Sequence, residues 1–298
     1  MERRVPRSDP SAAGRASGIE ATAYAGAAAG MSAAGVVLGD APGTGAQVLV
    51  LTAIGVVLAV AGWFLEGDAP VTGRMRSVFW FLSVLVIAEA AGVLFGRLVG
   101  DLSPRTIGSL TGLVATVYSL VLWWGFRRSL QVLALIFSVY AMIASLLFPE
   151  FGFFGVDPTG ITIFTWLYGG AVATLGALGL VLPRKTTFVT GTFFAILGPL
   201  ILTTNESFGG PLLALLTAAV LLFVGAWLGE RAVAGLAIVG ILLAVAIMVA
   251  TNVSARGPGI AVVVVGAAIL AVAVFLARRF LVAPPRPGPA SPPPPPPG

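Results

Sequence analysis

Apolar residues in this chain fall in long, nearly unbroken runs rather than in the alternating or three-to-four spacing that marks one buried face of a soluble element. Nine runs stand out, at about 46–65, 77–96, 107–126, 129–148, 160–182, 187–204, 209–228, 232–251 and 259–281. A helix needs roughly 20 apolar residues to cross the hydrocarbon core of a bilayer, and each run is long enough. A tenth segment, 21–39, is uncharged but dominated by Ala and Gly. Its transfer into lipid is weaker than that of a Leu-rich run, so hydropathy alone leaves it open.

Charge placement decides it, because Lys and Arg concentrate in cytoplasmic loops. If 21–39 spans, one face collects Arg3, Arg4, Arg7, Arg15, Arg74, Arg76, Arg127, Arg128, Arg184, Lys185, Arg231, Arg278, Arg279 and Arg286, and the other only Arg97, Arg105 and Arg256. That is fourteen against three; without this helix the four N-terminal arginines change sides and the ratio falls to ten against seven. The pattern predicts an all-α polytopic transmembrane helical bundle of about ten helices with both termini cytoplasmic. Residues 1–20 read as a disordered cytoplasmic segment, 21–282 as the transmembrane domain and 283–298 as a disordered Pro-rich cytoplasmic tail. Arg3-Arg4 is followed by Val5-Pro6, and the apolar run starts too far away for a twin-arginine signal. Cleavage near Ala41 would instead put the mature N-terminus outside, against which stand Glu20 and the weak apolar run.

Composition sharpens the class. Of 298 residues, 58% are hydrophobic and 10% charged, with a mean hydropathy of +1.02, against about 25% charged in soluble domains. A soluble globular protein is excluded. With no His and no Cys, the chain has no Ser-His-Asp or Cys-His centre, no His- or Cys-ligated zinc, no thiolate-held cluster and no disulfide. The single lysine, Lys185, lacks the glycines of a phosphate-cradling loop. No cofactor is expected, nor nucleic acid: the pI near 10.4 follows from topology. Sixteen of the seventeen basic residues are Arg, which together with the Ala, Gly, Val and Pro richness suits a GC-rich bacterial genome and hence a bacterial inner membrane.

All five Asp residues lie in predicted loops or tails, so an intramembrane aspartyl dyad is excluded. Glu89 is the carboxylate well inside a helix, about 18 Å from Ser77 at the helical rise. Gly92 and Gly96, three and seven residues on, share its face and form a small-xxx-small pair, so Glu89 is expected to point into the bundle. Two roles fit: a buried group paired with Arg97 or Arg105 or hydrogen-bonded as a neutral acid, or a proton- or cation-binding residue in a transport pathway. The second candidate is Pro199, placed near the middle of the seventh helix, where a kink exposes carbonyls beside Thr203, Thr204 and Asn205. Gly26 with Gly30, Gly169 with Ala173, and Gly225 with Gly229 are read as helix-packing pairs. Trp63, Trp80, Trp123, Trp124, Trp166 and Trp227 are read as an aromatic belt and lipid contacts. The tail from Ala283 should be extended polyproline, either solvated or docked on an aromatic groove of a protein partner.

Two resemblances join these features. Glu20-Ala-Thr-Ala-Tyr-Ala-Gly-Ala-Ala, Ala61-Gly-Trp-Phe-Leu and Phe275-Leu-Ala-Arg-Arg resemble uncharacterised bacterial multi-pass membrane proteins of a domain-of-unknown-function class, which implies the topology and no activity. Leu228-Gly229-Glu230-Arg231 followed by Gly235 and Gly240 resembles the signature before the last helix of drug and metabolite transporters, here one helix early and without a matching first-half repeat. The expectation is a non-enzymatic structural or interaction protein of the membrane. The alternative is a small-molecule or ion permease using Glu89 and Pro199.

Overall fold

Long apolar runs fold as helices in lipid because only an intrasegment ladder satisfies every backbone donor and acceptor without water. The computed structural model describes residues 43–65, 70–99, 101–148, 158–201 and 209–252. These form eight helices: α1 (Thr44–Phe64), α2 (Pro70–Val93, continued by a π turn at Leu94–Leu98), α3 (Pro104–Phe126), α4 (Ser129–Leu147), α5 (Pro158–Ala177), α6 (Arg184–Ile201), α7 (Gly209–Trp227) and α8 (Arg231–Asn252). All but α6 are long and apolar enough to cross a membrane. The predicted runs at 21–39 and 259–281, both termini and the Pro-rich tail lie outside the described residues.

The ends of these helices are written in local chemistry. Pro70, Pro104 and Pro158 open α2, α3 and α5, where a missing N–H costs nothing and the fixed φ already suits a helix. Ser103 caps α3, its side chain accepting from Thr106 N at 3.2 Å. Replacing Ser103 by Ala is expected to cost about 1 kcal/mol, read as a lower midpoint of SDS unfolding in mixed micelles. α5 and α7 both close on a left-handed glycine, Gly179 and Gly229, each at φ +72°. Paired bonds follow, from Gly179 N to Gly176 O and Leu180 N to Leu175 O, and from Gly229 N to Ala226 O and Glu230 N to Gly225 O. They return the last carbonyls of each helix to amide donors.

The largest departure from the apolar pattern is at the start of α2, which begins at Pro70, seven residues before the run at 77, and so takes in Arg74 and Arg76. Charge ends a hydropathic run but not a helix, since Arg is a good helix former. α5 departs too, ending at Ala177, five residues before its run does.

The chain forms two compact units, Met1–Phe164 with Gly170–Gly191, and Thr165–Gly169 with Thr192–Gly298. In the first, α1 packs on α2, α2 on α3 and α4, and α3 on α4. Only Arg127 and Arg128 separate α3 from α4, and Arg127 takes the left-handed conformation that closes so short a connection. The antiparallel pair this makes is tight: a Cβ on Gly112 would lie 2.6 Å from Met142 Cα, and one on Gly108 2.6 Å from Ser145 Oγ. In the same unit a Cβ on Gly191 would fall 2.1 Å from Ala173 N, and one on Gly176 2.3 Å from Phe188 N. In the second unit α7 packs on α8 around Ala214, Leu215, Ala218, Leu222, Ala237 and Ile241. There Gly169 stands 2.1 Å, at its would-be Cβ, from Ala195 N. Without a hydrophobic drive between helices in lipid, such backbone-to-backbone approaches carry the packing.

Candidate functional site

The polar groups of the first unit collect at helix ends and along one internal seam. Arg76 reaches from α2 to the C-terminus of α1, its Nε donating to Gly62 O at 3.1 Å and its Nη2 to Leu65 O. Carbonyls left bare by the end of a helix thus meet a cation where the helix dipole favours one. The guanidinium also sits 5.5 Å from the ring of Trp80. Arg128 of the α3–α4 connection donates to Gly73 O in the first turn of α2. At the other end of α1 and α2, Arg97 Nη1 donates to Gln47 Oε1 at 3.0 Å.

Along the seam, Ser83 is hydrogen-bonded to Tyr118 at 3.0 Å, and Gln131 Nε2 donates to Ser77 O at 3.4 Å. Gln131 is buried and its Oε1 has no partner among the described residues. Buried side-chain amides and hydroxyls of this kind hold helices together in lipid, at a modest fraction of a kcal/mol to about 2 kcal/mol each.

A groove of about 640 Å³ opens between α1, α2 and α3, lined by Gly55, Val60, Ile87, Leu113, Val117 and Tyr118 among others. Gly55 forms its floor, since a Cβ there would meet Ile87 Cδ1 at 2.7 Å. Val117 and Val60 stay exposed along its walls. The lining is apolar, with the hydroxyl of Tyr118 engaged by Ser83.

Glu89 does not enter this seam. Its side chain is exposed among the described residues, on the face of α2 that also carries exposed Leu85 and Gly96. The neighbouring positions, Val86 and Ala90, are the ones that pack against Leu51 of α1. Among the described residues neither Arg97 nor Arg105 pairs with Glu89, and the runs at 21–39 and 259–281, which bear on whether it points into the bundle, lie outside them. Gly92 and Gly96 make only loose contacts, with Thr111 Oγ1 at 3.7 Å and Ile107 Cγ2 at 3.9 Å from a would-be Cβ.

Pro199 is buried inside α6, and Thr203, Thr204 and Asn205 lie outside the described residues, as do Gly26 and Gly30. Gly225 packs, its would-be Cβ 2.9 Å from Val233 Cγ1. Gly229, at positive φ, is the cap of α7, and among the described residues nothing lies within 4 Å of a Cβ there. The tryptophans divide as well. Trp63, Trp124 and Trp227 are exposed, but Trp80 is 1% exposed and belongs to the core, and Trp166 Nε1 donates to Thr217 Oγ1 at 3.1 Å.

By sequence, Arg76 counts for topology and Trp80 for the aromatic belt. Gln131 is not singled out there, although a signal for it exists: Gln47 and Gln131 are the chain's two glutamines and both stand in the first turn of an apolar helix. Seven helices of membrane-crossing length and hydropathy among the described residues make this chain a multi-pass integral membrane protein. Comparison with family models, with curated proteins and with solved structures found no match.

Proposed function

We propose that this is a structural or interaction protein of the bacterial inner membrane, without catalytic activity, that engages apolar partners within the bilayer and displays a Pro-rich cytoplasmic tail. The observation that carries this reading is the α1–α2–α3 groove, whose lining of Val, Leu, Ile, Ala, Gly and Tyr118, the tyrosine hydroxyl engaged by Ser83, suits an acyl chain or a partner's apolar helix face and offers a hydrated solute little to bind. Glycine-to-backbone contacts at Gly112, Gly176 and Gly191 support it, because such packing leaves little room for helices to slide.

The chain has no Cys, so single cysteines test the reading directly. Val117→Cys and Glu89→Cys, each treated in intact cells with a small membrane-impermeant thiol reagent, are expected to stay unlabelled and to react fully after denaturation in SDS. A thiol in hydrocarbon does not ionise to the reactive thiolate. Labelling of both in intact cells would overturn the reading in favour of a hydrated pathway, the small-molecule or ion permease with Glu89 as its binding residue.

A further inference from the structure

We propose that the face of α2 formed by Leu85, Glu89, Gly92 and Gly96 is the docking surface for the chain's own Ala/Gly-rich segment 21–39. Glu89 lies eight residues, about 12 Å, before Arg97 on a membrane-crossing helix. Its side chain is exposed and no described group hydrogen-bonds to it. Lipid tails offer no donor, so an ionisable group at this depth needs protein or water against it. The surface around it is shaped for a helix: Gly96 is exposed, Gly92 is half-buried, and would-be Cβ atoms on both meet nothing nearer than 3.7 Å.

The path of the chain selects the occupant. α1 starts at Thr44, and the bond from Arg97 to Gln47 sets that start beside the Gly96 end of the α2 face. The preceding residues therefore enter at this end, and the four residues 40–43 are enough for a helix-to-helix turn. Nineteen residues at 1.5 Å each give about 28 Å, more than the length from Gly96 to Leu85. Of the two helices within reach, α1 exposes Leu49, Val56, Val57 and Val60, which lipid satisfies, whereas the α2 face exposes a carboxyl, which it does not. The segment has the complementary need. Eight of its nineteen residues are Ala and four are Gly, so it gains little from lipid and most from close helix contact. Counting back from Thr44 with Gln47 level with Arg97 sets Ser32 at about the depth of Gly92 on the proposed path.

Disulfide mapping in native membranes tests this. Gly92→Cys is combined in turn with a cysteine at each position from 27 to 35, oxidised with copper phenanthroline, and cut at a protease site introduced at 66–69. A cross-link within one chain keeps the two fragments together without reductant. The expected result is such cross-links at positions three or four apart, centred near Ser32. Leu85→Cys, a replacement of a 43% exposed side chain, repeats the scan against a tilted or shifted segment and against any folding defect of Gly92→Cys. A Gly55→Cys/Ile87→Cys pair across α1 and α2 reports the fold in parallel. Absence of any intrachain cross-link in both scans while that pair forms would overturn the proposal. So would cross-links between two chains, which assign the face to a second copy, or links from Gly92→Cys to cysteines in 259–281, which assign it to the later run.

Discussion

Replacing Gly169 by Val is expected to destabilise the protein by about 3 kcal/mol or more, the upper end of the cost of overpacking a filled interior. A Cβ at this position would lie 2.1 Å from Ala195 N, 2.5 Å from the carbonyl carbon of Phe194 and 2.6 Å from Ala195 Cα. All three are backbone atoms of α6, which no rotamer change can move. The helices must separate by more than an ångström, and every dispersion contact along their seam weakens together. Gly170, the next residue of α5, is the internal control. Among the described residues nothing lies within 4 Å of its would-be Cβ, so Gly170→Ala removes only the entropic cost of a helical glycine and should stabilise by about 0.5–1 kcal/mol. SDS unfolding of purified protein reads both. Equal midpoints for Gly169→Val and Gly170→Ala would refute the close approach of α5 and α6 at this point.

That contrast shows what a membrane sequence discloses and what it withholds. Where a helix lies is legible, because length and hydropathy decide it; the eight runs predicted at 46–65 through 232–251 each correspond to a described helix. Which face of that helix meets protein is not, because lipid and protein interior are equally apolar and the usual contrast between wet and dry sides vanishes. On α2 the contacts with α1 come from Val86 and Ala90, and nothing in the apolar pattern sets those positions apart from the others. Two glycines four apart are equally ambiguous, since Gly225 is a contact and Gly229 a left-handed cap. Their roles separate only when the end of α7 is known. Arg76 was read as a topology signal alone because the positive-inside rule uses its charge and ignores its reach. Its geometry shows a second use, closing the end of α1.

Truncating Trp80 to Ala is expected to cost about 3–5 kcal/mol, the range for removing a large aromatic from a packed interior, and here the loss has named parts. The indole N–H donates to Ala59 O at 3.1 Å, the ring lies 4.0 Å from that of Phe126, and Arg76 stands over it at 5.5 Å while capping α1. Trp80→Phe keeps an aromatic against Phe126 but not the donor, and should fall between the two. The decisive measurement is a cycle with Gly62, whose would-be Cβ lies 2.6 Å from Trp80 Nε1. In the wild-type background Gly62→Ala forces the indole aside and destabilises. In the Trp80→Ala background the same methyl enters vacated space, so its cost should shrink or change sign. A coupling of roughly 1–3 kcal/mol is expected for groups that share one site. Additive effects would mean that Trp80 and Gly62 do not touch, and that the α1–α2 seam is closed by some other pair.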